Sequence, residues 1–320
     1  MRTRTKVWLI IAASFVLAGG IIFVGVMTIF NWDFTKLSTV KYETGNYGIN
    51  EEYENISIVT NTADVSFVPS ENSKTSVICH QQKNMKHLVE VQDGTLSVEV
   101  VDTRKWYEYI GINFDTPKIT VYIPQGEYGT LLVKSSTGDV KIPKEFKFKS
   151  IDISESTGNV TNYASALEDI KIKTSTGDIV AESISAGMLD LSVSTGEIRV
   201  SKLTCKGDVK IAVSTGKTNM TDIKCKSVVS MGNTGDIYLK NVIAAERFSV
   251  ERSTGNVRLD GCDAAEIFIK TDTGDVRGSL LNEKVFIVES DTGRVDVPKT
   301  ATGGKCEIYT DTGSVSIKVQ

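Results

Sequence analysis

Between residues 129 and 320 the apolar side chains come in pairs two residues apart, and the pairs themselves recur. One set is Leu131 with Val133, Ile151 with Ile153, Ile170 with Ile172, Leu189 with Leu191 and Val209 with Ile211, with polar residues between. This is the period of a strand buried on one face. Each pair stands seven and five residues before a Thr-Gly dipeptide, whose glycines are Gly138, Gly158, Gly177, Gly196, Gly216, Gly235, Gly255, Gly274, Gly293 and Gly313, spaced 19 or 20 residues apart. After each glycine the apolar positions move to even offsets, beginning with Val140, Val160, Ile179 and Ile198. Only a turn or bulge swaps the inward parity, and glycine accepts the backbone that such a turn needs. A third short apolar segment follows around Ile184, Leu203, Ile223, Val242, Cys262 and Leu281.

A unit of this length cannot bury its own apolar face. Stacked at ~4.8 Å, ten units give an all-β parallel β-solenoid (β-helix) about 48 Å long. A β-propeller is the rival, but its blades need roughly twice this period. The expected fold is therefore about ten rungs of 19–20 residues, occupying residues 129–320. Residues 31–128 read as a less regular β region and solenoid cap. Within it, residues 61–65 (NTADV) look like a worn copy of Ser-Thr-Gly-Asp-Val, so the coil is expected to begin near residue 55. Residues 89–100 read as strand, Asp-Gly turn, strand. The aromatic-rich insertion 104–115 breaks the beat; it either covers the first turn or offers Trp106, Tyr107 and Tyr109 as a stacking platform for a sugar or protein partner.

Residues 7–30 hold 24 uncharged, mostly apolar residues, enough for a helix to cross ~30 Å of hydrocarbon and longer than the usual apolar run of a cleaved signal peptide. Arg2, Arg4 and Lys6 favour a cytoplasmic tail over residues 1–6, and Trp32 and Phe34 suit the far interface. The chain is thus expected to pass once through the cell membrane, with its carboxy-terminal domain extracytoplasmic.

A net charge of −4 gives no basic field for nucleic acid. Two histidines leave little material for acid–base chemistry, and both, His80 and His87, lie outside the repeats. A carboxylate pair for glycoside cleavage could be chosen from many, and nothing selects one. Cys205 and Cys225 occupy the same offset in consecutive repeats, as a disulfide across rungs or, the favoured reading, as small buried hydrophobes. Asp272, Asp291 and Asp311 place carboxylates on what the beat makes consecutive rungs, where Ca²⁺ between them would relieve repulsion. The favoured alternative is turn chemistry, in which Ser, Asn and Asp side chains bond the local backbone. No other cofactor is expected. Residues 316–320 end the last repeat without a polar cap, so self-association through that terminal rung is expected to be open to it.

The Ser-Thr-Gly-Asp-Val units at 136–140 and 175–179 resemble the bacterial putative-adhesin family of unknown function, which includes LiaG-like envelope proteins of Gram-positive bacteria. The resemblance covers roughly residues 40–320, including 118–124 (KITVYIP), and a single span before the repeats is usual for the family. It implies the β-solenoid fold, supplies no catalytic residues, and links some relatives to the cell-envelope stress response. The combined expectation is a membrane-anchored, non-catalytic binding, adhesion or scaffolding module at the bacterial envelope, with an envelope glycan or protein as partner. A polysaccharide-processing β-helix enzyme and a self-associating structural solenoid are the alternatives.

Overall fold

The computed structural model describes residues 3–109, 113 and 115–320. Among the described residues the one long helix, α1 (Thr3–Ile29), includes a 25-residue stretch, Thr5–Ile29, long and apolar enough to cross a membrane; most of it is exposed, and Met27 near its end is buried. The helix already contains residues 3–6, so the expected separate tail over 1–6 is largely its first turn; Met1 and Arg2 lie outside the described residues. Asn31 (φ 53°) and Trp32 (φ 58°) end α1 in the left-handed region, with Trp32 N donating to Met27 O at 2.8 Å.

The repeats form a parallel β-solenoid of about ten turns. In-register ladders such as Ile170–Leu189–Val209–Val228–Phe248–Ile267 run up its first face, and the members are buried. Two constraints select the repeat glycine. From Gly138 to Gly274, and again at Gly313, φ lies between +127° and +158°. A Cβ there would also lie 1.8–2.2 Å from the carbonyl oxygen of the residue stacked beneath it. The backbone conformation and the close approach both exclude a side chain.

The parity changes a second time within the rung, at a place without a sequence signature. Ser183, Lys202, Asp222 and Asn241 take φ between 52° and 57°, and Gly261 takes 61°, each six residues after a repeat glycine. This corner returns odd offsets to the interior, which buries Leu203 and Cys205, Ile223 and Cys225, and Val242 and Ala244. Each rung therefore has three inward faces meeting in one core.

The coil begins beneath Gly138. Strands Asn55–Val59 and Asp64–Pro69 stack under Gly126–Thr137 and Val140–Ile142, with Ala63 O under Gly138 where the worn copy put it. The expected boundary at residue 128 falls inside the strand Gly126–Thr137. Antiparallel strands cover this end. Thr75–Gln82 lies between Tyr42–Ile49 and Lys118–Ile123, and the hairpin Met85–Gln92/Thr95–Asp102 turns at Asp93 and Gly94. These strands, rather than the aromatic insertion, make the cap: Trp106 is 78% exposed.

The far end departs from sequence order. Strand Gly304–Thr312 pairs with Glu266–Thr273 on one side and with Lys284–Ser290 on the other, and Gly313 stacks on Gly274 with Gly293 outermost. The last repeat is thus inserted between the two before it. The expected bare rung at 316–320 is corrected accordingly: Val315–Val319 pairs along its length with Val276–Leu280, and Val315 and Ser316 are covered by Val295 and Asp296. The open edge belongs to Lys284–Ser290, with Val285 37% and Ile287 43% exposed. Lys284 reaches past Gly304 to Asp263 Oδ1 at 2.7 Å, where both side chains are nearly buried, and so straps the outermost rung across the inserted one.

Candidate binding surfaces

On the second face, outward residues of successive rungs line up as Tyr238–Arg258–Arg277–Ser316, beside Lys240–Asp260 and Ser279–Lys318. The strand period sets this arrangement, because side chains alternating with the buried Ile237, Leu239, Val257, Leu259 and Val276 must face water. Arg277 is held by Asp275 at 2.7 Å, and the Tyr238 hydroxyl donates to Asp236 Oδ2 at 3.3 Å. Arg258 has no ion pair among the described residues. Gly278 leaves a dent between the two arginines, since a Cβ there would sit 1.8 Å from Leu259 O. The result is a shallow cleft of about 440 Å³ lined by Tyr238, Asn256, Val257, Arg258, Asp275, Arg277 and Gly278. A planar guanidinium fork bonds carboxylate, phosphate or hydroxyl oxygens, and a half-exposed tyrosine ring stacks on a sugar or aromatic face.

The residues following the repeat glycines do turn chemistry across rungs. Asp64, Asp139, Asn159 and Asp178 each accept the backbone N–H of the residue one rung further on, at 2.8–3.0 Å. Asp236, Asn256 and Asp275 repeat the chain at 2.7–2.9 Å. Asp272, Asp291 and Asp311 do lie on successive rungs, but insertion puts them in the order 272, 311, 291. Among the described residues, no three His, Cys, Asp or Glu side chains converge on a point fit for a metal ion.

Trp106, Tyr107 and Tyr109 share one 3₁₀ turn and are 78%, 51% and 59% exposed. Arg104 holds the turn: it donates twice to Asp102, at 2.9 and 2.6 Å, and lies 4.3 Å over the Tyr109 ring. Hydrogen bonding from Arg104 keeps the Asp102 carboxyl well below the usual carboxylate range. Residues 110–112 and 114 of the insertion lie outside the described residues.

Of the histidines, His87 is buried between Thr60 Oγ1 (3.0 Å) and Gln81 Oε1 (2.9 Å), and burial lowers it to about 4. His80 contacts Asp115 Oδ2 at 2.8 Å and Thr44 Oγ1 at 3.2 Å on the exposed cap sheet. All five cysteines are free and buried, so Cys205 and Cys225 pack as small hydrophobes, and burial pushes the Cys225 thiol up to about 12.

Besides Lys284, two charged groups in the repeats are buried without any sequence signal, Arg252 and Glu155. Arg252 crosses over Gly232 to donate to Val213 O at 2.6 Å and Thr218 Oγ1 at 2.9 Å; burial lowers it to about 10. That contact explains why Thr218 replaces the usual Val or Ile. Glu155, three residues before Gly158, has no hydrogen-bond partner among the described residues. Burial raises it to about 8, opposed chiefly by the Ser135 hydroxyl one rung below and reinforced to a smaller extent by Asp139 and Asp64.

A family model described as Toastrack DUF4097 matches residues 53–216 and 206–320. No curated protein matches the chain. Among solved structures, it is similar to a putative lipid binding protein from Parabacteroides distasonis, at 17% identity and TM-score 0.50 over 75% of this chain and 98% of that one. It is also similar to a putative adhesin from the same species, at 12% identity and TM-score 0.48 over 85% and 98%. A putative adhesin from Parabacteroides merdae matches at 14% identity and TM-score 0.48 over 87% and 96%. At 17% identity the first of these shows a likeness of fold alone.

Proposed function

The chain belongs to the Toastrack DUF4097 family, and on that premise we propose that it is a membrane-anchored, non-catalytic binding module of the bacterial cell envelope. The observation that carries this reading is the ladder of Tyr238, Arg258 and Arg277 over the Gly278 dent, flanked by Lys240 and Lys318. Rungs repeat at ~4.8 Å, close to the scale of a sugar residue, so an extended polymer can lie along the face and meet a donor at each step. The ligand class proposed is an envelope glycan carrying anionic groups. The printed names of the solved neighbours, adhesins and a lipid binding protein, agree with binding rather than chemistry.

Orientation belongs to the same proposal. Arg2, Arg4 and Lys6 precede the apolar stretch, which favours a cytoplasmic amino terminus and an extracytoplasmic solenoid. A part in the envelope stress response, which the resemblance implies, is retained as a proposal. The non-catalytic reading is supported by the buried state of His87 and by Asp236 and Asp275 of the second face, which serve turns or pair with arginine.

Full-length protein in detergent, titrated with purified envelope glycan, tests the reading. Arg258→Ala with Arg277→Ala should weaken binding about tenfold or more, since a charge-assisted hydrogen bond contributes about 1.5–3 kcal/mol. Unchanged affinity in the double variant would remove this face as the site.

A second reading follows from the open strand Lys284–Ser290: self-association through that edge, rather than through residues 316–320. Sedimentation of wild type against Ile287→Lys reads it directly, with dissociation of the larger species as the expected result.

A further inference from the structure

The aromatic turn lies next to the chain's exit from α1. Lys83 N donates to Lys41 O at 2.9 Å, Thr103 N donates to Asn84 O at 3.0 Å, and Asn84 Nδ2 donates to Glu108 Oε1 at 2.6 Å. These bonds join the stretch after the helix to the aromatic turn around a cleft of about 340 Å³, with Thr39, Val40 and Lys41 on one side and Arg104 and Tyr107 on the other. The rings of Trp106, Tyr107 and Tyr109 thus stand at the end of the molecule that α1 brings to the bilayer. They are exposed although Arg104 holds their backbone turn in place. Lys41, Lys83 and Lys105 are exposed nearby and have no ion pair among the described residues. Trp32 and Phe34, just after α1, are exposed as well.

Amphipathic rings favour the headgroup layer, and lysines beside them favour anionic headgroups. We propose that the turn at residues 104–109 is a second membrane contact, with Trp106, Tyr107 and Tyr109 in the headgroup layer of the bilayer that α1 spans. Lys41, Lys83 and Lys105 face the anionic lipid. The contact fixes the tilt of the solenoid on the membrane and so the direction in which the Tyr238–Arg277 face points. It rests on the reading of α1 as a span. Because α1 already tethers the domain, the contact forms intramolecularly at an effective concentration on the order of millimolar, and three rings suffice where a free protein would not bind.

The three tryptophans, Trp8 in α1, Trp32 and Trp106, make the test direct. Full-length protein is reconstituted in bilayers of mixed zwitterionic and anionic lipid, plain or brominated. Trp32→Phe with Trp106→Phe leaves Trp8 to report the span; Trp8→Phe with Trp32→Phe leaves Trp106 to report the turn. Both reporters should lose emission in brominated lipid. Trp106 should also be blue-shifted, and Lys41→Glu, Lys83→Glu and Lys105→Glu together should reduce its quenching. If Trp8 is quenched while Trp106 emits as in water in both lipids, the contact is overturned and the span stands. If neither is quenched, the span reading fails and the contact with it. A Trp106 signal that responds to added glycan and not to brominated lipid also overturns the proposal, in favour of a sugar platform.

Discussion

Residues that break the repeat are explained by what they touch. Thr218 looks like a lapse in an apolar column, while Gly232 and Arg252 stand in a mixed one, and together they are one device: glycine clears a path, and threonine and Val213 O receive the guanidinium. Arg252→Leu alone should cost about 2 kcal/mol in urea unfolding, because Val213 O and Thr218 Oγ1 lose their donor. Adding Thr218→Val should recover much of that loss, giving a coupling that independent sites would lack. Glu155 is different, since only the Ser135 hydroxyl opposes the effect of its burial. Its folded value of about 8 lies above the model-compound 4.5, so the folded protein keeps a proton that the unfolded chain has lost between those pH values. Stability should therefore fall as pH rises through that window, by at most about 1.4 kcal/mol per unit, and Glu155→Gln should flatten the slope. An unchanged pH profile in Glu155→Gln would refute the assignment. His87 acts at the acid end. With a folded value of about 4, below the ordinary 6.5, it removes stability as pH falls between the two.

The five rungs from Gly177 to Gly255 have two left-handed corners of opposite character. At the first, Gly216 combines φ 141° with a Cβ position 1.8 Å from Gly196 O, so Gly216→Ala should destabilise by about 3 kcal/mol or more through strain and overlap together. At the second, Lys202 takes φ 54° without glycine. A non-glycine residue there is strained by roughly 1 kcal/mol, so Lys202→Gly should be neutral or slightly stabilising. Thermal melts of the two variants separate a corner that needs glycine from one that merely tolerates its absence. The second corner was not legible because Ser, Lys, Asp, Asn and Gly share no side-chain chemistry; bonds to neighbouring rungs, such as Ser183 N to Ser201 O and Asn241 Nδ2 to Asp222 Oδ1, support it.

At the scale of the whole molecule the decisive fact is rung order. Lys270 and Tyr309 are register partners, as are Glu289 and Tyr309, which puts Lys270 and Glu289 two rungs apart. Lys270→Cys with Tyr309→Cys should therefore oxidise readily to a disulfide, while Lys270→Cys with Glu289→Cys should not, since a bridge needs Cα atoms within about 7 Å. The opposite result on a non-reducing gel would restore sequence order. The strap from Lys284 to Asp263 crosses the inserted rung, so Lys284→Met should loosen the outermost strand first, seen as faster amide exchange over residues 284–290.

The apolar helix, the parallel solenoid, its starting point at the worn copy 61–65 and the glycine corners were all determined by the sequence itself, the helix by one unbroken apolar run and the others by a local period and backbone sterics that recur along the repeats. The cap, the exposed state of Trp106, the Arg252 and Lys284 crossings and the insertion of the last repeat were decided only by the tertiary structure. The reason is the repeat itself: every Thr-Gly unit offers the same ladder to every other, so local pattern specifies a rung but not its neighbour. Neighbours are chosen by contacts that skip rungs, such as Lys284 with Asp263, and no period in the chain records those.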